Sequence, residues 1–380
     1  MRSYLTHATL VLPDQTLRDG ALLLEEGRIA AICPETIQGH AQEISLEGDV
    51  LMPGLIDLHS DAIEREMEPR NNVRLPNLHA VLQGDRKWAL AGITTMLHAL
   101  TFAGEDRGRR SNSVMEELAR LIHAHADDCL IENLIHCRFE MIAPDGLPYI
   151  KKLIDEHICR MVSLNNHSPG QGYFRDIERY RRYLKNTFHA SEEELDRLIA
   201  EQTVPDEVAE RNGQELVDYA QQADVPIASH DDEDRAKIER RHAQGIRLTE
   251  FPISLEAART AHELGVHTIV GAPNLIRGGS HAGGVSALDL IAEGLASCIC
   301  SDYAPSTLLP ATLLVVEKLD MPLHDAVRLT TANPAQAARL YDRGEIRVGQ
   351  RADLISIRKY SDMPMVHHLW SRGRLSLRFC

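Results

Sequence analysis

The sequence predicts an α/β protein: a (β/α)8 TIM-like barrel carrying a small discontinuous β domain built from both chain ends. Three observations point there. After Pro53-Gly54 the chain offers eight short apolar runs, GLIDLH, GITTMLHAL, NLIHCRFE, CRMVSLNNH, VPIASH, GIRLTEF, GVHTIVGA and ASCICSD. Between several of them lie stretches such as SVMEELARLIHAHA, QELVDYAQQA and SLEAARTAHELG, with apolar residues at the spacing that gives a helix one buried face. That alternation builds parallel sheets, and eight repeats favour a sheet closed on itself. The third observation is that both ends read as short strands and turns.

In chain order, residues 1–52 form the first part of the small β domain, with YLTHATLVL, DGALLLEEGRIAAI and an alternating stretch into GDVLMPG, punctuated at Pro13-Asp14 and Glu26-Gly27. Residues 53–343 form the barrel. Within it about 55 residues separate His167 from Val225, too many for a plain loop. The segment FRDIERYRRYLKNTFHASEEELDRLIAEQT is strongly helical, with Ser191 followed by Glu194 as a capping box, so residues 171–222 read as a helical insertion over the barrel mouth. Charge at helical spacing also fits a solvated helix pair. Residues 344–380, opening with GEIRVGQRADLISIRKY, return to strand-and-turn texture and are expected to pair with the N-terminal strands.

Composition excludes several classes of protein. With 380 residues, 43% hydrophobic and 26% charged, the chain can bury a large core, and neither disorder nor a collagen-like repeat is compatible with it. The 41 Lys and Arg against 56 Asp and Glu give a net charge of −15, which repels a nucleic-acid backbone. Seven scattered cysteines without a Cys-x-x-Cys motif fit reduced thiols better than a disulfide framework. MRSYLTHATLVLPDQT lacks the apolar centre of a signal peptide, and no apolar run reaches the roughly 18 residues of a membrane helix. A cytoplasmic protein with no membrane partner is the expectation.

Several of the apolar runs end in side chains able to hold a metal: His59 and Asp61, Glu140, His167, His230 and Asp302. In a βα barrel the C-terminal ends of the strands converge on one mouth, which gathers three imidazoles and three carboxylates. His59 and Asp61, two apart on a strand, point to the same face. His123 and His125 have the same spacing on a predicted helix, where they diverge, and read as surface residues. A mixed nitrogen and oxygen set suits zinc first, with Mn, Fe or Ni as alternatives. Six ligands exceed what one four-coordinate ion uses, so two divalent metal ions are expected, bridged by Glu140. Two ions about 3.5–4 Å apart acidify a water between them from 15.7 toward about 7. Asp302 could both ligate and carry that water's proton to a leaving group.

Pro53-Gly54-Leu55-Ile56-Asp57-Leu58-His59 and the RVGQRADL stretch resemble the first-strand motif and the C-terminal return of the amidohydrolase superfamily, over essentially the whole chain. Most members carry His-x-His at the first strand, whereas this chain has His59-Ser60-Asp61. GLIDLHSDAIE, VSLNNHSPGQGYF, ASHDDE, GAPNLIRGGSHAGGVSA and SDYAPSTLL resemble a narrower family, the diphosphatases of the carbon–phosphorus lyase pathway. That resemblance implies release of pyrophosphate from α-D-ribose 1-methylphosphonate 5-triphosphate, leaving the 5-phosphate.

A triphosphate carries about four negative charges, and an acidic protein must compensate them locally with metals and arginines. Arg277 in NLIRGGSHAGG is the best candidate; Gly278, Gly279, Gly283 and Gly284 would bring backbone N–H groups to phosphate oxygens, and His281 adds a donor. The same glycines also read as a plain turn. Arg70, Arg74, Arg175, Arg179 and Lys185 are weaker candidates. The expected partner is a small phosphorylated sugar, and a homodimer is the assembly to test. Two rivals stand beside this reading: an amidohydrolase acting on a C–N bond, such as a deacetylase or cyclic-amide hydrolase, and a barrel kept as a structural subunit. No Gly-x-Gly-x-x-Gly follows an early strand and no P-loop occurs, which excludes nicotinamide and P-loop enzymes.

Overall fold

A computed structural model describes residues 2–36, 39–104, 111–170, 177–188, 191–279, 284–360 and 363–379. The strands are β1 (Arg2–Val11), β2 (Thr16–Glu25), β3 (Arg28–Ile32), β4 (Gln42–Ser45), β5 (Val50–Pro53), β6 (Leu55–Ser60), β7 (Ile93–Phe102), β8 (Glu132–Glu140), β9 (Cys159–Asn165), β10 (Ile227–His230), β11 (Leu248–Glu250), β12 (His267–Gly271), β13 (Cys298–Cys300), β14 (Leu354–Tyr360), β15 (Met363–Ser371) and β16 (Arg374–Arg378). Strands β6 to β13 coincide with the eight apolar runs and form one parallel sheet in sequence order.

This sheet curls into a nearly closed barrel. Its edge strands meet where Ser60 and Asp302 form a parallel bridge. The Asp302 N–H donates to His59 O at 2.9 Å, and the Asp61 N–H donates back to Asp302 O at 3.1 Å. Ile56, Leu58, Leu97, Met161, Ala228, Leu248, Ile269 and Cys298 form one buried cluster inside, so the barrel is a packed core and not a pore. Gly54 sits where the entry to β6 crosses β7: a Cβ there would lie 2.2 Å from Thr94 Cγ2, which leaves room for glycine alone.

Helices cover the outside, most of them through an apolar stripe, although Arg235–Ala243 buries Lys237 and Arg241 beside Ile238. Helix Asn112–Ala124 is typical: the Ser111 Oγ accepts the Val114 N–H at its start, and Met115, Leu118, Ala119 and Ile122 are buried at 3- and 4-residue spacing. Burying a side chain such as Leu118 contributes about 1.5–3 kcal/mol, and Leu118→Ala would cost about 2–5 kcal/mol once the cavity is included.

The two chain ends share a second sheet, ordered β16-β15-β14-β5-β1-β2-β3 with β4 beside β1. The junction is the antiparallel pair β5–β14, where Pro53 faces Leu354 and Val50 faces Ile357. Its own buried cluster draws on both ends, including Leu5, Leu22, Ile29, Leu51, Ile346, Leu354 and Trp370. The tail forms strands from Leu354 onward, and before that it already meets the N-terminal part through an isolated antiparallel bridge between Arg28 and Arg351, with Gly349 and Ala352 donating their N–H groups to the carbonyls of Ile29 and Gly27.

The stretch expected as an insertion divides. Helices Ile177–Phe188 and Glu192–Gln202 contact each other, with Tyr180 and Leu195 buried. Helix Asp206–Gln222 instead packs on Leu147–Asp155, buries Ala209, Leu216, Val217 and Ala220, and pairs Glu215 with Lys151 at 2.7 Å; it belongs to the outer helical layer. Among the described residues no helix is long and apolar enough to cross a membrane. Cys33, Cys129, Cys137, Cys159, Cys298 and Cys300 are free thiols; Cys380 lies outside the described residues.

Candidate metal centre

The six residues picked out by strand-end position all lie at the C-terminal ends of the parallel strands. His59 is the penultimate residue of β6 and Asp61 follows it; Glu140 closes β8 and His230 closes β10. His167 and Asp302 stand two residues beyond β9 and β13. A register shift between Asp57 and Ser60 breaks the regular pleat just before the mouth. The rings of His59 and His230 are 5.6 Å apart, and those of His167 and His230 are 6.0 Å apart.

The grouping differs from the expected one. His59, His230 and Glu250 offer ligand atoms within 4.8 Å of one another, and His167, His230 and Asp231 do the same, so His230 is shared. Glu140 is engaged elsewhere: its Oε1 accepts the His167 N–H at 3.0 Å and its Oε2 lies 2.5 Å from His167 Nδ1. Bridging by Glu140 therefore requires it to give up His167. Asp61 and Asp302 fall outside both groups, yet near enough for Asp61 to push Asp302 upward.

Glu250, Asp231, Arg138 and His136 complete the cluster, and the sequence reading passed over all four. Burial, reinforced by Arg138 and His230, holds His59 well below its usual pKa, so the ring is neutral. Its Nδ1–H donates to Glu250 Oε1 at 2.9 Å, which leaves the Nε2 lone pair free for an ion. His136 donates from Nδ1 to Leu58 O at 3.1 Å and is held at about 3, chiefly by burial. Burial pushes Asp231 upward, but His230 and His167 override it and keep the carboxylate ionised at about 2. Asp302 is raised to about 7 by burial and then by Asp61, with Arg138 opposing. Asp57, raised to about 7 mainly by burial, accepts the Ser301 N–H at 3.0 Å and braces the barrel closure.

The backbone around these residues is unusual. Asp231, Phe251 and Asp302, all just past strand ends, have φ of 52°, 53° and 55°. Aspartate tolerates this left-handed region, whereas for Phe251 it costs about 1–2 kcal/mol. The Phe251 ring lies 5.1 Å from that of His59 and 5.3 Å from that of His230, an apolar wall against both imidazoles.

The donor set fits a divalent transition ion. His59 is neutral and Asp231 ionised, and imidazole nitrogen beside carboxylate oxygen is the donor chemistry such an ion takes. In addition, His136 Nε2 and Glu250 Oε2 are buried without a hydrogen-bond partner, and His230 Nδ1 has only Asp231 Oδ1 at 3.3 Å.

The expected phosphate loop is placed otherwise. Arg277 is exposed at the end of the short helix Ala272–Arg277, which follows β12. Gly278, with φ of 75°, donates its N–H to Leu275 O at 3.2 Å, and Gly279 donates to Asn274 O at 3.0 Å. Both groups cap the helix in place of facing a ligand. Gly284 is half-buried, while Gly283 and His281 lie outside the described residues, as do Arg175 and the side chain of Arg179. Arg70, Arg74 and Lys185 are exposed, as is His123; His125 contacts Asp128 at 2.7 Å.

The sequence profile of the amidohydrolase family matches residues 50–375. The chain belongs to the amidohydrolase family. Within that family it is 32% identical over 385 aligned positions to the α-D-ribose 1-methylphosphonate 5-triphosphate diphosphatase of Escherichia coli K12, a match covering 97% of this chain and 99% of that protein. Among solved structures it resembles an amidohydrolase with a TM-score of 0.67 at 15% identity, each chain covered fully. It also resembles the N-acetylglucosamine-6-phosphate deacetylase of Pasteurella multocida, with a TM-score of 0.64 at 14% identity over 99% of both chains. At those identities the structural likeness establishes the family's fold.

Proposed function

We propose that the chain is a metal-dependent hydrolase that releases pyrophosphate from α-D-ribose 1-methylphosphonate 5-triphosphate and leaves the 5-phosphate. The observation that carries this reading is the near full-length match to the diphosphatase of that name. In this reading the barrel is a (β/α)8 barrel spanning residues 53–343, and residues 1–52 and 344–380 make one small β domain.

His59, Asp61, Glu140, His167, His230 and Asp302 are the side chains that would hold two divalent ions, with Glu250 orienting His59 through its Nδ1–H. Bound there, such ions polarise phosphoryl oxygens and ease deprotonation of water. The protein's own residues do the rest. Asp302, at the closure of the barrel mouth, takes a proton from the attacking water and passes it to the departing pyrophosphate as the anhydride bond between the first and second phosphates breaks. Asp231 stays ionised beside His230 and His167 and keeps both rings turned to the mouth. Phe251 excludes water from one side.

A substrate panel tests the reading. Purified, metal-supplemented protein is expected to release pyrophosphate from the ribose triphosphate and to leave N-acetylated amino sugars and cyclic amides intact. Hydrolysis of a C–N bond with no pyrophosphate formed would overturn it.

A further inference from the structure

Arg138 projects from β8 two residues before Glu140, so both side chains leave the strand on the same face. Its Nη2 lies 3.4 Å from His230 Nε2, and its Nε is buried without a partner. Arg138 is half-buried, and the two fully buried arginines among the described residues are neutralised: Arg241 holds Glu210 at 2.7 Å, and Arg343 pairs with Glu132. Arg138 makes no such ion pair among the described residues; its neighbour is an imidazole. A partly desolvated guanidinium that lacks an ion pair is stabilised when an anion reaches it. Its field also extends across the cluster, holding His59 and His136 down and opposing the rise of Asp302.

We propose that Arg138 is the oxyanion anchor of this site, its forked N–H donors taking two non-bridging oxygens of one phosphate in a polyphosphate substrate. The inference rests on the diphosphatase reading for its substrate class and deepens it: the cation that reads the phosphate chain stands inside the barrel mouth, not on the glycine-rich loop. Guanidinium geometry matches a phosphate in two parallel hydrogen bonds, whereas an ammonium meets it as a point charge.

The test is calorimetric titration of metal-loaded wild type, Arg138→Met and Arg138→Lys with inorganic pyrophosphate, alongside metal content and circular dichroism of each. Arg138→Met is expected to weaken pyrophosphate binding by about 10- to 100-fold with metal content retained, and Arg138→Lys to fall between. Unchanged affinity in Arg138→Met overturns the proposal. So does a loss of affinity that tracks a loss of metal, because Arg138 would then act only by positioning His230. Should Arg138→Met fail to fold, Arg138→Lys decides, and wild-type affinity there overturns the anchor. The two readings fail separately. Wild type that turns over the ribose triphosphate while Arg138→Met keeps its pyrophosphate affinity sinks the anchor alone. Wild type with no turnover but Arg138-dependent pyrophosphate binding sinks the diphosphatase assignment alone.

Discussion

Two regions of this molecule bring histidines and carboxylates within ligand distance, and they are built to opposite ends. In the end-strand sheet Asp49, His367 and His368 offer atoms within 4.8 Å of one another, as the mouth residues do. There, however, both oxygens of Asp49 are engaged: Oδ1 accepts from Arg358 Nε at 2.6 Å, and Oδ2 from His367 Nδ1 at 2.7 Å and Ser356 Oγ at 3.3 Å. The loop before β5 is thereby tied to β14 and β15, the N-terminal part of the chain to the C-terminal part. At the barrel mouth Glu250 Oε2, His136 Nε2 and Arg138 Nε are buried without a partner, whereas in the Asp49 cluster the unpartnered atom is His368 Nε2 and the carboxylate is fully engaged. Proximity of ligand-type residues does not separate a clamp from a reactive site; a buried carboxylate oxygen left without a donor, as in Glu250 but not in Asp49, does.

The sharpest break of the comparison is Asp302→Asn. It is expected to lower pyrophosphate release by about 1000-fold while metal content stays near wild type; wild-type turnover would remove Asp302 from the proton path. Next is chelation. At ion concentrations near 100 times the dissociation constant, loss of the ions should remove about 2.7 kcal/mol of stability, read as a drop in melting temperature. His230→Ala should abolish that drop and Asp49→Ala should preserve it. Asp49→Ala itself should cost about 2 kcal/mol in a urea titration, since it leaves His367 and Arg358 without their shared acceptor, with metal content unchanged.

The smallest effect is a pH slope. His368 is lowered to about 4, chiefly by burial and then by His367, against 6.5 in the unfolded chain. The folded state refuses a proton that the unfolded state accepts, so this contribution is complete above pH 6.5 and is lost as pH falls through about 4. His368→Gln should flatten the dependence of stability on pH across that window; an unaltered slope would remove His368 as its source.

The strands of the barrel were legible because each is a bounded apolar run, and strand-end position then carried six polar residues to one rim. Glu250 satisfies the same rule at the end of GIRLTEF, but its acidic side chain before Phe251 also reads as ordinary alternation. Arg138 was hidden for a different reason: an inward position in mid-strand is visible only once the inward face is known, and His136, Arg138 and Glu140 share it on β8. The glycines after Arg277 could mark either a phosphate cradle or a helix end. The sequence carried no clear sign of the short helix Ala272–Arg277, whose carbonyls take the Gly278 and Gly279 N–H groups. The limit of the insertion is hard to read in the sequence because Asp206–Gln222 is rich in charge like the two helices before it, yet it buries a stripe of Ala209, Leu216 and Ala220.

The most direct test of the account is an anomalous-scattering map from crystals of the metal-loaded protein, collected at the absorption edge of the bound ion. The account predicts peaks at the barrel mouth among His59, Asp61, Glu140, His167, His230 and Asp302, and none beside Asp49. A peak at Asp49, His367 and His368 with the mouth empty would contradict it.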